Sequence, residues 1–521
     1  MPFFAPRIDR QVRRLHIVFG DQLDTESPLL LELDPEQDGI LMMEVADESR
    51  HVATHFQRTV FFLAAMRHFC ESLEVPCHYV TLDDPDNTGS FEGEISRALR
   101  HLRPEEVIAV RPGSWRVLRM LERHGVTVLE DPHFITQPAD FASWASGRKT
   151  LTMEYWYREL RRREGILVDE GGRPEGGRWN WDKENRNAFR SAPEPPPPWS
   201  PGTDEIAREV FELVTKCLPD LPGARGMPNW PLTRQSALDQ LEGFIRLGLP
   251  EFGRWQDAMW TGHTRLWHSH LSPALNVKLL HPREVIDAAV AAYRAGDAPL
   301  NSVEGFVRQI LGWREFIRGV YWTQPEAYRD ENALGAESEL PNAYWNADTD
   351  MVCVAEAVRP VLEIGYSHHI QRLMVTGNLG LTLGVDPSAL RDWYLGMFVD
   401  GVDWVTTPNV IGMSLYADGG LVATKPYAAG GAYINRMSNY CSSCRFDPGK
   451  RTGDSACPLT TLYWDFLLRN RDTLSGNHRM TLALKNLERI APEELEMIRS
   501  RAQEVRDMLS DRVNRPAPDT R

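Results

Sequence analysis

The sequence predicts an α/β domain followed by an all-helical domain, on three observations. Over residues 15–130 short apolar runs alternate with amphipathic stretches. From residue 236 onward apolar side chains recur at helical spacing. Between the two lies a stretch rich in glycine and proline. The division reads 1–145 for a Rossmann-like domain, 146–235 for a connector and 236–521 for the helical domain.

Leu15–Phe19, Ile40–Val45, His78–Leu82, Val107–Val110 and Val126–Leu129 read as strands. Thr54–Leu73, Glu92–Leu102 and Trp115–His124 read as the helices between them. Alternation of this kind argues a parallel sheet, because each helix carries the chain back to begin the next strand in the same direction. The first strand runs into Gly20-Asp21-Gln22 with no G-x-G-x-x-G, so a dinucleotide fingerprint is absent. A ligand can still sit at the carboxyl ends of such strands.

In the connector, Thr150–Arg163 is an expected helix, followed by Gly171-Gly172, Gly176-Gly177 and Pro195–Pro198. Within it Arg178-Trp179-Asn180-Trp181-Asp182-Lys183 is too aromatic for a plain solvated linker. In the helical domain Val303, Phe306, Val307, Ile310, Leu311, Trp313, Phe316 and Ile317 follow the i, i+3, i+4, i+7 pattern. Similar stripes recur at 283–294, 351–364, 386–398 and 459–470. Glycines and prolines predict a long irregular segment over 401–431, and Arg512–Arg521 reads as frayed.

Composition is that of a globular protein, 42% hydrophobic and 25% charged over 521 residues. No apolar stretch reaches the ~18 residues of a membrane helix. The basic start, Met1 to Arg14, lacks a signal-peptide core, so the expected compartment is the cytoplasm. A net charge of −15 argues against indiscriminate nucleic-acid binding. Residues 431–521 nevertheless hold 15 Lys/Arg against 12 Asp/Glu, so any DNA-binding face is a local patch. Of 16 tryptophans only Trp115 and Trp144 precede residue 150. Most such rings pack cores, and others serve as stacking surfaces.

Seven cysteines, an odd number in a long chain, do not form a disulfide framework. Cys441-x2-Cys444 is followed after 12 residues by Cys457-Pro458. Two thiolates at this spacing grip one centre from a single turn. Zinc prefers a second knuckle of like spacing, which is missing, so an iron–sulfur cluster is the better reading. A fourth ligand must come from Cys70, Cys77, Cys217 or Cys353. Cys353 is chosen because it lies in the helical region that packs near the C-terminus.

Four further groups stand out. His368-His369 opens a helical stretch that contains Arg372, where one expects either a packed histidine or a proton donor with an ordinary pKa. Trp313-Arg314-Glu315-Phe316 reads by periodicity as core plus a surface ion pair. Asp400-Gly401-Val402-Asp403 places two carboxylates around a turn, for ligand hydroxyls, a metal or an Asx turn. His268-Ser269-His270-Leu271-Ser272-Pro273 offers hydroxyls at an expected helix start, which suits a phosphate or an ordinary Ser cap.

Together with several long segments, these pieces resemble the iron–sulfur bacterial cryptochromes and photolyases, the prokaryotic 6-4 photolyase group. The segments are Val18–Leu23, Gly89–Glu94, Leu151–Tyr155, Gly177–Asn180, Gly305–Tyr321, His368–Asn378 and Thr424 through Cys444. The resemblance covers roughly residues 14–490. It implies an antenna-chromophore domain, a helical FAD domain and a 4Fe-4S cluster on Cys353, Cys441, Cys444 and Cys457. The antenna it implies is 6,7-dimethyl-8-ribityllumazine, near Gly20, Asp21, Gln22 and Glu44. FAD contacts carry over to Ser269, Leu271, Ser272, Arg314, Arg372, Asp400, Asp403 and Thr406. Many photolyases have Asn where this chain has Thr406. His369 resembles the first of two active-site histidines of eukaryotic 6-4 photolyases, while Leu373 stands at the second. Trp393, Tyr394 and Trp345 resemble the electron-transfer route, and Arg178, Trp179, Trp181, Asp182 and Lys183 the lesion-side, DNA-binding loop.

The activity implied is light-driven repair of 6-4 pyrimidine–pyrimidone photoproducts by electron transfer from excited reduced FAD, in a monomer acting on UV-damaged DNA. The alternatives are a blue-light photoreceptor of cryptochrome type with the same cofactors, a light-independent iron–sulfur DNA-binding protein, and cyclobutane-dimer repair.

Overall fold

The computed structural model describes residue 8 and residues 10–510, except 149 and 203. The expected frayed stretch Arg512–Arg521 lies outside the described residues. Five strands form in the expected places: β1 Arg14–Ile17, β2 Gly39–Met43, β3 Cys77–Val80, β4 Glu106–Val110 and β5 Thr127–Leu129. All pairs are parallel, in the order β3-β2-β1-β4-β5. β1 and β2 stop short of their apolar runs, whose last residues Phe19 and Val45 line a cavity.

The sheet is buried on both faces, as parallel sheets are. Leu15, Ile17, Leu41 and Met43 face one small core. Val18, Ile40, Met42, Tyr79 and Ile108 face the other way and join the large core shared with the helical domain. Alternate side chains of a strand therefore commit one face to the α/β domain and one to the interface.

The connector is more ordered than a linker. Helix Met153–Glu164 starts later than expected, and Glu205–Cys217, capped by Asp204, packs on helix Phe56–Ser72. The stripe at 303–317 forms a continuous run, Leu300–Val307, a π-helical turn Arg308–Arg314, then Glu315–Thr323. Glu315 is not a surface ion-pair partner: it is fully buried and accepts from the backbone of Ile135 and Thr136 and the Thr136 hydroxyl. The segment 401–431 is also corrected in part. Asp403–Pro408 is helical and passes into a π-turn Asn409–Ser414, leaving 415–430 irregular. No helix among the described residues is long and apolar enough to cross a membrane.

Candidate active site

Two wide turns aim the central cations. Arg314 closes the π-turn Arg308–Arg314, and Arg372 lies in another, Gln371–Gly377. An extra residue per turn rotates side chains off the regular helical stripe, and such turns cluster at functional sites. The guanidinium of Arg372 donates to both oxygens of Asp400 at 3.0 Å, and its Nε donates to Ser367 O at 2.6 Å. Ser272 Oγ donates to Asp400 Oδ2 at 2.6 Å, and Asn276 Nδ2 to the Asp400 carbonyl at 2.8 Å. Asn276 Oδ1 accepts from Arg314 at 2.7 Å, and that guanidinium lies near the rings of Phe134 and Trp404. Burial lowers Arg314 to about 10. Burial also opposes the Arg372 charge, but Asp400 outweighs it and the net shift is upward.

This network gathers Ser272, Arg314, Arg372 and Asp400 as the sequence suggested, and adds Asn276, which reads in sequence as an ordinary helix residue. Leu271 is buried, and Ser269 Oγ accepts from Leu271 N at 3.4 Å. The helix that follows, Ser272–Asn276, is only five residues long. Asp403 does not join Asp400: its carboxylate accepts from Tyr321 Oη at 2.6 Å and Thr407 Oγ1 at 2.5 Å and lines a different cavity. Thr406 is buried one turn on.

His369 is exposed, three residues ahead of Arg372. Loss of solvation, then the charges of Arg372 and His268, lower its pKa to about 4. The expected ordinary pKa is thus corrected: the ring is neutral at pH 7. Its neighbour His368 is buried and stacks on His268 with centroids 4.4 Å apart. Among the described residues, both His368 nitrogens, Ser367 Oγ, His270 Nε2 and Arg314 Nε are buried without a hydrogen-bond partner. Each such group costs about 1–3 kcal/mol unless a ligand satisfies it.

Aromatic rings lead from this network to the surface. Trp345 is 38% exposed, and the adjacent Tyr344 is buried. Centroids then step 5.0 Å from Tyr344 to Trp393, 5.0 Å to Tyr394 and 5.2 Å to Phe398, over which Arg372 lies at 4.2 Å. Tyr344 and Phe398 are not among the residues that the sequence singles out.

A cavity of about 340 Å³ opens at the carboxyl ends of β1, β2 and β4, walled by both domains. Gly20, Asp21, Arg58, Phe62 and Asp403 line it. Burial raises the pKa of Asp21 against the pull of Lys278. Gln22 and Glu44 do not line the cavity. Gln22 Nε2 donates to the Val110 and Arg111 carbonyls, bracing the loop. Glu44 is fully buried, paired with Arg67 and hydrogen-bonded by Tyr79 and Leu82 N.

Cys353, Cys441, Cys444 and Cys457 line one small enclosed space, brought from helix Val352–Ile364, the turn after Gly431–Met437 and the cap of Pro458–Arg469. A Cβ on Gly431 would sit 2.7 Å from Cys457 Sγ, so only glycine fits there. Among the described residues no three ligating side chains converge on a single ion.

The connector loop is fastened rather than free. Trp179 lies among Arg158, Arg161 and Arg162, the last 4.4 Å from its ring. Arg178 covers Trp181 at 3.8 Å, and Trp181 N donates to Glu304. Asp182 pairs with Arg308, while Lys183 is exposed.

An α/β domain docked on a helical domain, with a cavity between them and a buried Arg–Asp network beyond, defines a two-domain protein of photolyase–cryptochrome fold. A bacterial class III photolyase from Agrobacterium tumefaciens has this fold at TM-score 0.56 and 15% identity, over 89% of this chain and 98% of that one. A Synechocystis sp. PCC6803 cryptochrome follows at 0.51 and 14%, over 83% and 89%. The family model for deoxyribodipyrimidine photo-lyase-related protein matches residues 16–230. The (6-4) photolyase of Agrobacterium fabrum (strain C58 / ATCC 33970) is 44% identical over 500 residues, 94% of this chain and 98% of the relative. The chain belongs to the photolyase–cryptochrome family, in the group of this (6-4) photolyase relative.

Proposed function

We propose that the chain is a DNA photolyase, a lyase that repairs 6-4 photoproducts in UV-damaged DNA with light. The observation that carries this is the near full-length likeness to a (6-4) photolyase, joined to an exposed His369 one turn ahead of the Arg372–Asp400 pair. FAD, when bound, supplies the light-driven one-electron chemistry. Ser269, Leu271, Ser272, Arg314, Arg372, Asp400 and Thr406 hold it, and the unpartnered buried atoms of Ser367, His270 and His368 favour a polar ligand there. Asp403 serves the interdomain cavity, whose size suits a small chromophore such as 6,7-dimethyl-8-ribityllumazine. Trp345, Trp393 and Tyr394 carry electrons between the surface and the flavin site. His369 supplies a proton to the lesion, whose polyanionic strand would raise the ring's pKa toward neutrality. Trp181 and Asp182, fixed by Glu304 and Arg308, hold the lesion-side loop in place, while Arg178, Trp179 and Lys183 face the strand.

A 4Fe-4S cluster fits the four cysteines better than zinc. Zinc prefers a second knuckle spaced like Cys441-x2-Cys444, which the sequence lacks, and all four cysteines line one small space. The protein acts as a cytoplasmic monomer. The test is illumination of the reduced protein with an oligonucleotide carrying one 6-4 lesion, beside a dark control and His369→Ala. Light-dependent restoration that the variant loses supports the proposal. Flavin photoreduction without restoration would instead assign the chain to the photoreceptors.

A further inference from the structure

Gln371 is a buried amide whose hydrogen bonds reach two separate sites. Its Oε1 accepts from His368 N at 3.3 Å, capping the helical stretch that carries His369 and Arg372. Its Nε2 donates to Glu356 O at 3.3 Å and to Tyr440 Oη at 3.2 Å. These partners fix which way the amide points, because the reversed amide would set its oxygen against the Glu356 carbonyl.

Both acceptors are tied to the four-cysteine space. Glu356 lies one turn after Cys353 in helix Val352–Ile364, and Tyr440 immediately precedes Cys441. Tyr440 is buried and lines that space together with Cys353, Cys441, Cys444 and Cys457. On the other side of the amide, the capped turn holds Arg372 through its backbone. Ser367 O accepts from Arg372 Nε at 2.6 Å, and His368 O from Arg372 N at 3.0 Å. Arg372 in turn grips Asp400, and His369 sits within the same turn. A buried, hydrogen-bonded glutamine is ordinarily only packing. This one joins two segments that must meet for the cysteines to meet, and fastens them to the turn that bears the candidate proton donor.

We infer that Gln371 is a positioning residue for His369 and Arg372, and that the four-cysteine centre holds it in register through Tyr440 and Glu356. The inference rests on the reading of the four cysteines as one cluster site and of His369 as the proton donor. The test measures amide hydrogen exchange over residues 367–373 by mass spectrometry, on the flavin-loaded protein in darkness, with iron and sulfide per chain determined alongside. Tyr440→Phe keeps the ring and removes only the hydroxyl. It should retain iron and speed exchange over 367–373 by about two- to tenfold, the worth of one hydrogen bond, with 39–43 in the sheet unchanged. Gln371→Leu should speed exchange further, and adding Tyr440→Phe to it should change nothing more, because both act through one bond. Repair per light flash should fall in Tyr440→Phe while affinity for the lesion-bearing duplex stays, the split expected of a residue that positions another. Unchanged exchange in both single variants, or an undiminished effect of Tyr440→Phe in the Gln371→Leu background, overturns the link and leaves the cluster reading standing. Unaltered protein without iron and sulfide overturns the cluster reading and the link together. Unaltered protein that holds iron but repairs nothing overturns the repair reading, and the exchange rates still decide the link.

Discussion

Arg372 grips Asp400 through two hydrogen bonds of 3.0 Å, while Asp400 also receives the Ser272 hydroxyl at 2.6 Å. One buried carboxylate thus ties together the turn at 371–377, the segment at 269–276 and the loop after Met397. Asp400→Ala leaves the guanidinium half-buried and uncompensated, a change that costs about 3–5 kcal/mol for such pairs. The purified variant should unfold at lower denaturant and carry little flavin by absorbance ratio. Wild-type stability and flavin content would show that the pair organises nothing.

Trp393 is the buried step between Tyr344 and Tyr394, with ring centroids 5.0 Å from each. Trp393→Phe keeps an aromatic ring in the core but removes the oxidisable indole. Photoreduction of the bound flavin should slow at least about tenfold, equivalent to about 1.4 kcal/mol of barrier, with the melting curve little changed. An undiminished rate would place the electron route elsewhere.

Gly431 faces Cys457 Sγ so closely that an added Cβ would lie at 2.7 Å. Gly431→Ala should displace that thiol and lower iron and sulfide per chain, along with the broad visible absorbance of a cluster. Full iron content in the alanine variant would mean that Cys457 is not a ligand.

His133 is buried between the domains, with its ring centroid 5.1 Å from that of His281. Burial, opposed by Asp24 and reinforced by Arg314 and Lys278, lowers its pKa from the usual 6.5 to about 4. Because the folded value is the lower one, the unfolded chain binds more protons between these limits. Stability is therefore complete above pH 6.5 and declines as pH falls toward 4, by as much as about 3 kcal/mol at 1.4 kcal/mol per unit. His133→Gln should flatten that part of a stability–pH curve measured by denaturant unfolding. A variant curve parallel to wild type would locate the acid sensitivity in other groups.

Much of this protein was determined by local pattern. The five strands followed from short apolar runs, as strands buried on both faces require, and the long helices from a period of 3.6. The Cys441-x2-Cys444 turn was legible because both thiols belong to one short segment. Tertiary structure decided what depends on separated segments meeting. Asp400 and Asp403 look alike in sequence, yet one joins Arg372 and the other, opening a helix, joins Tyr321 and the interdomain cavity. Glu44 and Gln22 sit where strand ends suggest a ligand, but Arg67 and the Val110 carbonyl claim them first. The low pKa of His369 likewise follows from the company it keeps in space. Periodicity records which face of an element is buried, whereas electrostatics is set by neighbours that the linear order does not name.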